Sequence, residues 1–131
     1  MAGHNDLGKQ GEEAAARFLS ALEYRLLARN WRAGRLELDL VAEDYGEVVF
    51  VEVKTRTHAS PGEALEAVGR EKRENMLRAA AAFMAYYHLD KPFRFDIVTL
   101  TGTGARNFRI DHHKRAFDWH TVRGEGCGYF R

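Results

Sequence analysis

Charged side chains alternate with apolar residues in two segments, Glu37 and Asp39 in the first segment and Glu52 with Lys54 in the second. Both segments alternate apolar and polar residues and are joined by a polar turn at residues 43–47, which predicts a β-hairpin. Two carboxylates that meet across a hairpin form a hard-oxygen pocket suited to a magnesium-type cation. A lysine on the same face can orient or deprotonate a metal-bound water and offset phosphate charge. The spacing therefore favours metal-assisted chemistry on a phosphate substrate.

The same pattern has a second interpretation, an antiparallel hairpin with one solvated face whose Glu–Lys pairs contribute about 0–1 kcal/mol. Alternate residues of a strand share a face, so the apolar face is expected to hold Leu36, Leu38, Leu40, Val49, Val51 and Val53. The polar face would then hold Glu37, Asp39, Glu52, Lys54 and Arg56. Charges in mid-strand are costly unless they are paired or bound to a ligand.

The segments around these charges resemble a known family. Glu-Leu-Asp-Leu at 37–40 and Val-Phe-Val-Glu-Val-Lys-Thr-Arg at 49–56 are similar to the YraN-like family of small bacterial proteins. The Asp…Glu-x-Lys pattern looks like the signature of the PD-(D/E)XK nuclease-like superfamily, which includes archaeal Holliday junction resolvases. Further matching stretches lie at 8–19, 68–72 and 93–98. One departure is Leu36, which stands where the family commonly has Gly.

The resemblance implies a metal-dependent endonuclease that hydrolyses phosphodiesters in DNA, with branched or junction DNA as a structure-selective target. It implies that Asp39, Glu52 and the backbone carbonyl of Val53 hold Mg²⁺ or Mn²⁺. Lys54 would position or activate the attacking water, and Glu12 of the first helix would assist the metal. A homodimer is also implied, since two strands of a junction must be cut, although the sequence shows no clear dimer face.

Two other functions are compatible with the sequence. One is a nucleic-acid-binding module of the same fold with little or no cleavage. The family's usual Gly permits close backbone approach, and Leu36 at that position can alter substrate access. The other is a protein-interaction domain whose polar hairpin face is salt-bridged and binds no metal.

Basic side chains outside the hairpin turn supply the expected nucleic-acid contacts: Arg32, Arg56 and Lys72. Arg32 belongs to a basic, aromatic cluster that can contact phosphates and stack on bases, or can be a solvated strand edge, made of Arg29, Trp31, Arg32 and Arg35. Lys72 lies at the start of a long helix, where a cation opposes the helix dipole. A phosphate partner or a solvated mixed-charge face would each explain it.

Composition bounds the class of protein. The 131 residues make one domain, and a net charge of +1 means that a nucleic acid must meet a local basic surface. The single cysteine, Cys127, excludes an internal disulfide framework. No apolar run is long enough to span a bilayer, and the N-terminus lacks the apolar core of a signal peptide, so the cytoplasm is the expected location.

Periodicity predicts an α/β fold with a mixed central sheet and flanking helices in the order α-β-β-β-α-β-β. This order agrees with the restriction-endonuclease-like core that the resemblance implies. The predicted helices are 7–24, 70–88 and a short terminal one at 114–119, and the predicted strands are 26–32, the hairpin arms within 35–56, 93–100 and 107–111. Ser60-Pro61-Gly62-Glu63 has the form of a capping box. The nuclease-like domain is expected to cover 1–119, followed by a flexible tail at 120–131. His112, His113 and His120 are interpreted as surface histidines.

Overall fold

The computed structural model of the protein describes residues 3–122. The helices are α1 (Gly3–Ala21), α2 (Pro61–Glu66), α3 (Arg70–Tyr86) and α4 (Trp119–Val122). The strands are β1 (Arg25–Ala33), β2 (Leu36–Asp44), β3 (Glu47–Arg56), β4 (Phe93–Thr101) and β5 (Arg109–Phe117). Among the helices in this part of the chain, none has the length and apolarity needed to cross a bilayer.

The five strands form one mixed sheet in the order β1-β2-β3-β4-β5. Three neighbouring pairs are antiparallel, and β3 pairs with β4 in parallel. Parallel neighbours need a crossover connection, and α2 and α3 supply it between β3 and β4. The predicted mixed α/β class with flanking helices is therefore confirmed.

The local signals behave as their chemistry predicts. The Ser60 hydroxyl accepts a hydrogen bond from the Glu63 N–H at 3.1 Å, and the Glu63 carboxylate accepts one from the Ser60 N–H at 2.8 Å, which completes the capping box at α2. The polar hairpin turn narrows to Tyr45-Gly46, both with positive φ. Positive φ at both central residues is typical of a type I′ turn, whose twist matches that of the flanking strands.

The sheet is buried on both faces, by α1 on one side and α3 on the other. The α1-side core includes Ala15, Leu19, Leu40, Ala42, Val49, Val51, Val53, Val98 and Leu100. The α3-side core includes Leu38, Val41, Val48, Phe50, Met76, Phe83, Phe95, Ile97 and Phe117. The hairpin therefore has no solvated face at its turn end, because both of its sides carry apolar residues under a helix.

One face assignment made from the sequence is wrong. Leu38 belongs to the α3-side core, whereas Leu40 belongs to the α1-side core, so the two residues do not share a face. The alternation resumes after this point, with Val41 on the α3 side and Ala42 on the α1 side. The phase of β2 thus shifts by one residue around Asp39, a change that a one-residue irregularity in a strand produces. In β3 the predicted alternation of Val49, Val51 and Val53 on one face is confirmed.

The C-terminal part of the predicted order also needs correction. Residues 114–119 were expected to form a helix, but β5 continues to Phe117, and α4 begins only at Trp119. Pairing with β4 and stacking of the Phe117 ring on Phe95, with ring centroids 4.9 Å apart, outweigh the local helical pattern. Val122 is buried in the α3-side core, so the packed chain continues past residue 119. The rest of the predicted tail, 123–131, lies outside the described residues.

Candidate functional site

The candidate site lies where β2 and β3 separate. β2 and β3 pair with each other from the turn as far as Leu40 and Val51. Beyond these residues β2 remains paired only with β1, and β3 only with β4. In this fork, Asp39 Oδ2 accepts a hydrogen bond from the Val53 backbone N–H at 2.9 Å. The side chain therefore takes the place of a backbone carbonyl in the ladder. Because the phase of β2 shifts here, the Asp39 carboxylate is held inside the fork.

Glu52 is the second carboxylate of the fork, and it is only 7 % exposed. Burial raises the pKa of Glu52 to about 8, and the neighbouring Asp39 carboxylate, by its charge and a hydrogen bond, adds to this rise. The ammonium groups of Lys72 and Lys54 act in the opposite direction. Burial and a neighbouring acid together therefore favour the protonated form of Glu52.

Lysines come to Glu52 from two elements. Lys72, in the first turns of α3, places its Nζ 3.6 Å from Glu52 Oε1. Lys54 is partly buried on the same face of β3 as Glu52 and is paired in register with Thr99 of β4. The sequence predicted Lys54 beside the carboxylates but Lys72 only as a phosphate contact. No signal in the sequence indicated the Lys72–Glu52 pair, because it joins a helix to a strand across a loop.

Glu12 reaches the same region from the opposite face of the sheet. Its pKa is raised, first by burial and then by the charge of Asp39, while Arg29 and Lys9 act to lower it. The separation of β2 and β3 explains why Glu12, on the α1 side, interacts with Asp39, because the Asp39 carboxylate lies between the two strands. Glu12 on α1 thus interacts with Asp39, whereas Lys72 on α3 pairs with Glu52.

The other predicted basic contacts lie farther out. Arg32 is exposed near the end of β1 and forms an ion pair with Glu37 at 3.1 Å. Arg56 is exposed at the end of β3. The basic, aromatic cluster is divided by the fold, because Trp31 packs edge-on against Phe83 with centroids 5.2 Å apart. Arg29 pairs with Glu13 of α1 at 3.1 Å. Trp31 and Arg29 are thus engaged in contacts within the protein.

The donor set fits a hard divalent cation. Within residues 3–122, no three Asp, Glu, His or Cys side chains already converge as a metal-binding group. Mg²⁺ does not require one, since it is usually held by one or two carboxylates together with waters and substrate phosphate oxygens. Asp39 and Glu52, which interact through charge and a hydrogen bond, supply such a pair, and Glu12 on α1 interacts with Asp39 through charge.

The interpretation of His112 as a surface residue is wrong. Its Nε2 lies 2.8 Å from the fully buried Asp96 Oδ2, and its side chain is 8 % exposed. His112 therefore forms part of a buried cluster around Arg94 and Asp96, on the α1 side of the sheet. The sequence carried a signal for this cluster, since charged Arg94 and Asp96 alternate with Phe93, Phe95 and Ile97 in a buried strand.

Comparison with known proteins agrees with the motifs. The family model described as uncharacterised protein family UPF0102 matches residues 11–100. The chain belongs to this family. A UPF0102 protein of Bacteroides thetaiotaomicron is 49 % identical over 117 residues, covering 89 % of this chain and 96 % of the relative. A UPF0102 protein of Chlorobium phaeobacteroides is 42 % identical over 119 residues, covering 86 % and 94 % respectively. The resemblance seen in the YraN-like motifs is confirmed as UPF0102 membership, and these names state no activity.

Proposed function

We propose that this UPF0102 protein is a metal-dependent endonuclease that hydrolyses phosphodiesters in DNA. The observation that carries the proposal is the Asp39–Glu52 pair in the fork of the sheet, with Lys54 on the same face of β3 as Glu52. A restriction-endonuclease-like core is part of the proposal, supported by a mixed sheet whose antiparallel β1-β2-β3 part joins a parallel β4 through helices. A cytoplasmic location is likewise expected.

Each side chain has a distinct task in this proposal. Asp39 and Glu52 hold Mg²⁺ or Mn²⁺ together with the Val53 carbonyl, and the Val53 N–H keeps the Asp39 carboxylate in place. The bound cation supplies polarisation of a phosphoryl oxygen and a lowered pKa for water. Lys54 positions the attacking water and offsets the charge that develops on the phosphate.

Residues around the pair complete the proposed site. Glu12 supplies a third carboxylate from α1, and the charge of Asp39 contributes to the raised pKa of Glu12. Lys72 places its Nζ 3.6 Å from Glu52 Oε1 and is the proposed phosphate contact on α3. Arg32 and Arg56, both exposed, are the proposed contacts to the DNA backbone away from the scissile bond.

The substrate class and assembly follow from the likeness to junction-resolving nucleases. Branched DNA, such as a four-way junction, is the expected structure-selective substrate. Cutting two strands needs two sites, which a homodimer provides. A net charge of +1 makes these local basic residues, and not a global field, responsible for DNA binding.

A cleavage assay tests the proposal. Labelled single-stranded, duplex and four-way-junction DNA are incubated with the protein in Mg²⁺, in Mn²⁺ and in chelator. We expect cutting that depends on the metal. The cleavage rate should fall in Glu52→Gln and in Lys54→Met by about 10–100-fold or more, the range for removal of a residue that supports a metal site. Lys91→Met, at an ion pair with Glu43 outside the site, is the matched control and should cut normally.

The Lys72–Glu52 ion pair favours a second function, a DNA-binding module that needs no metal, because the lysine already supplies a cation to the buried acid. This function predicts DNA binding that is equal in Mg²⁺ and in chelator and unaffected by Asp39→Asn. Binding without cutting on all three DNA structures would support it and would contradict the endonuclease.

A further inference from the structure

Gly11 of α1 lies directly against Thr55 of β3. A Cβ atom at this position would overlap Thr55 Oγ1 of β3 and would lie 3.1 Å from both the Cβ and the Cγ2 atoms of Thr55. Rotation of the threonine side chain moves Oγ1 and Cγ2 but leaves its Cβ in place. After such a rotation the 3.1 Å approach of the two Cβ atoms remains, so any residue other than glycine requires α1 or Thr55 to shift by a few tenths of an ångström.

The contact adjoins the candidate site on both sides. Gly11 directly precedes Glu12, and Thr55 directly follows Lys54. Thr55 lies on the α1 face of β3, because it alternates with Val49, Val51 and Val53 of the α1-side core. Glu12 is itself partly buried.

We infer that the Gly11–Thr55 contact is a positioning device, which sets the separation of α1 and β3 and with it the distance of the Glu12 carboxylate from Asp39. Gly11 is thus a positioning residue that acts through Glu12. The inference rests on the proposed function, because its purpose is to bring a third carboxylate to a site for a divalent cation.

The geometry explains why glycine is needed here and not merely a small residue. Gly8, one turn earlier on α1, has nothing within 4 Å of an added Cβ, so the helix as a whole does not require glycine. Ala15, one turn later, packs into the α1-side core with a full Cβ. The requirement for a missing Cβ is local to the turn that carries Glu12.

The test measures Mn²⁺ binding to the full chain by titration calorimetry, with folding of each variant checked by thermal unfolding in chelator. We expect Gly11→Ala to weaken Mn²⁺ binding by about 10–100-fold, the range for loss of support at a metal site. Gly8→Ala is the matched control on the same helix and should bind Mn²⁺ as the wild type does.

A compensating change separates positioning from general damage. Gly11→Ala with Thr55→Ala removes the overlapping atoms and should restore binding to within about threefold of Thr55→Ala alone. Gly11→Ala with Thr55→Val keeps the bulk and should stay weak. In a Glu12→Ala background, adding Gly11→Ala should change Mn²⁺ binding by no more than about threefold, because its effect passes through Glu12.

The outcomes distinguish the inference from the proposed function. A wild-type protein that binds no Mn²⁺ overturns the proposed function and the inference with it. Mn²⁺ binding that is normal in Gly11→Ala, or reduced equally with and without Glu12, overturns the inference alone. If Gly11→Ala does not fold, Glu12→Asp retracts the carboxylate by one methylene and must weaken Mn²⁺ binding. Unchanged binding in that variant would also overturn the inference.

Discussion

Two clusters of buried charge occupy opposite faces of the same sheet. On the α1 side, Asp96 is fully buried and accepts hydrogen bonds from Arg94 Nε at 3.0 Å, His112 Nε2 at 2.8 Å and the Arg115 N–H at 3.1 Å. Burial alone would raise the pKa of Asp96, but these donors lower it overall. The Arg94 guanidinium also reaches Asp44, Glu47 and the Tyr24 hydroxyl.

On the α3 side, Glu52 is nearly as buried, yet its pKa moves in the opposite direction, to about 8. The charged neighbour with the largest effect on its pKa is another acid, Asp39, and the Nζ of its lysine partner is 3.6 Å away. The difference shows how burial can serve two purposes. In the Asp96 cluster the buried acid has several hydrogen-bond donors, so the cluster needs no further ligand and is structural. In the Asp39–Glu52 pair two acids lie side by side, an arrangement that favours binding of a cation.

The largest expected effect breaks the closed cluster. Arg94→Met leaves Asp96 buried without its ionic partner, which should lower the free energy of unfolding by about 3–5 kcal/mol. Urea denaturation measures it. Arg109→Met is the matched control, because Arg109 pairs with Asp111 on the surface at 3.2 Å and should cost about 0–1 kcal/mol. A loss under 1 kcal/mol for Arg94→Met would mean that the cluster is less dependent on ion pairing than its burial indicates.

A smaller effect comes from the pH dependence of the open pair. Since the pKa of Glu52 is about 8 in the folded chain and near 4.5 in the unfolded chain, the folded state binds more protons between these values. Stability in chelator should therefore fall as pH rises through this window, by about 1–3 kcal/mol. Glu52→Gln should flatten the fall, as measured by melting temperature against pH. Asp96 has a lowered pKa, so its contribution is instead lost at acid pH.

Saturating Mg²⁺ should sharpen the same contrast. A bound divalent cation displaces the proton from Glu52, so its stabilisation should grow as pH rises, and the melting temperature in Mg²⁺ should no longer fall toward pH 8. A melting curve that is identical with Mg²⁺ and with chelator at pH 8 would leave the raised pKa of Glu52 without a metal-binding purpose.

The smallest expected effect compares two lysine–glutamate pairs. Lys72→Gln at the open pair should change the free energy of unfolding by less than about 1 kcal/mol. It should reduce the slope of log DNA affinity against log salt by about 1, because one phosphate contact is lost. Lys91→Gln, which breaks a 2.8 Å pair with Glu43 elsewhere on the sheet, should leave that slope unchanged. Anisotropy of labelled junction DNA at several salt concentrations measures both, and equal slopes would remove Lys72 from the DNA contacts.

Local patterns predicted most of the helices and strands. The capping box at Ser60 and the hairpin turn depend on residues within a few positions of one another, so their outcome was already decided along the chain. The terminal helix at 114–119 was predicted wrongly for the opposite reason. There the local pattern was weak, and a partner 22 residues away, Phe95 for Phe117, supplied the stronger contact.

The sequence by itself determined which residue types are present for chemistry and how they are spaced, namely Asp39, Glu52 and Lys54 on two strands of one hairpin. Only the tertiary structure decided that the strands separate at Asp39, because that depends on which neighbour each strand pairs with. It also decided that Glu12 interacts with Asp39 from the α1 side and that Lys72 pairs with Glu52 from the α3 side. Burial and proximity of charges arise only when distant segments pack together, and these set the proton affinity of Glu52.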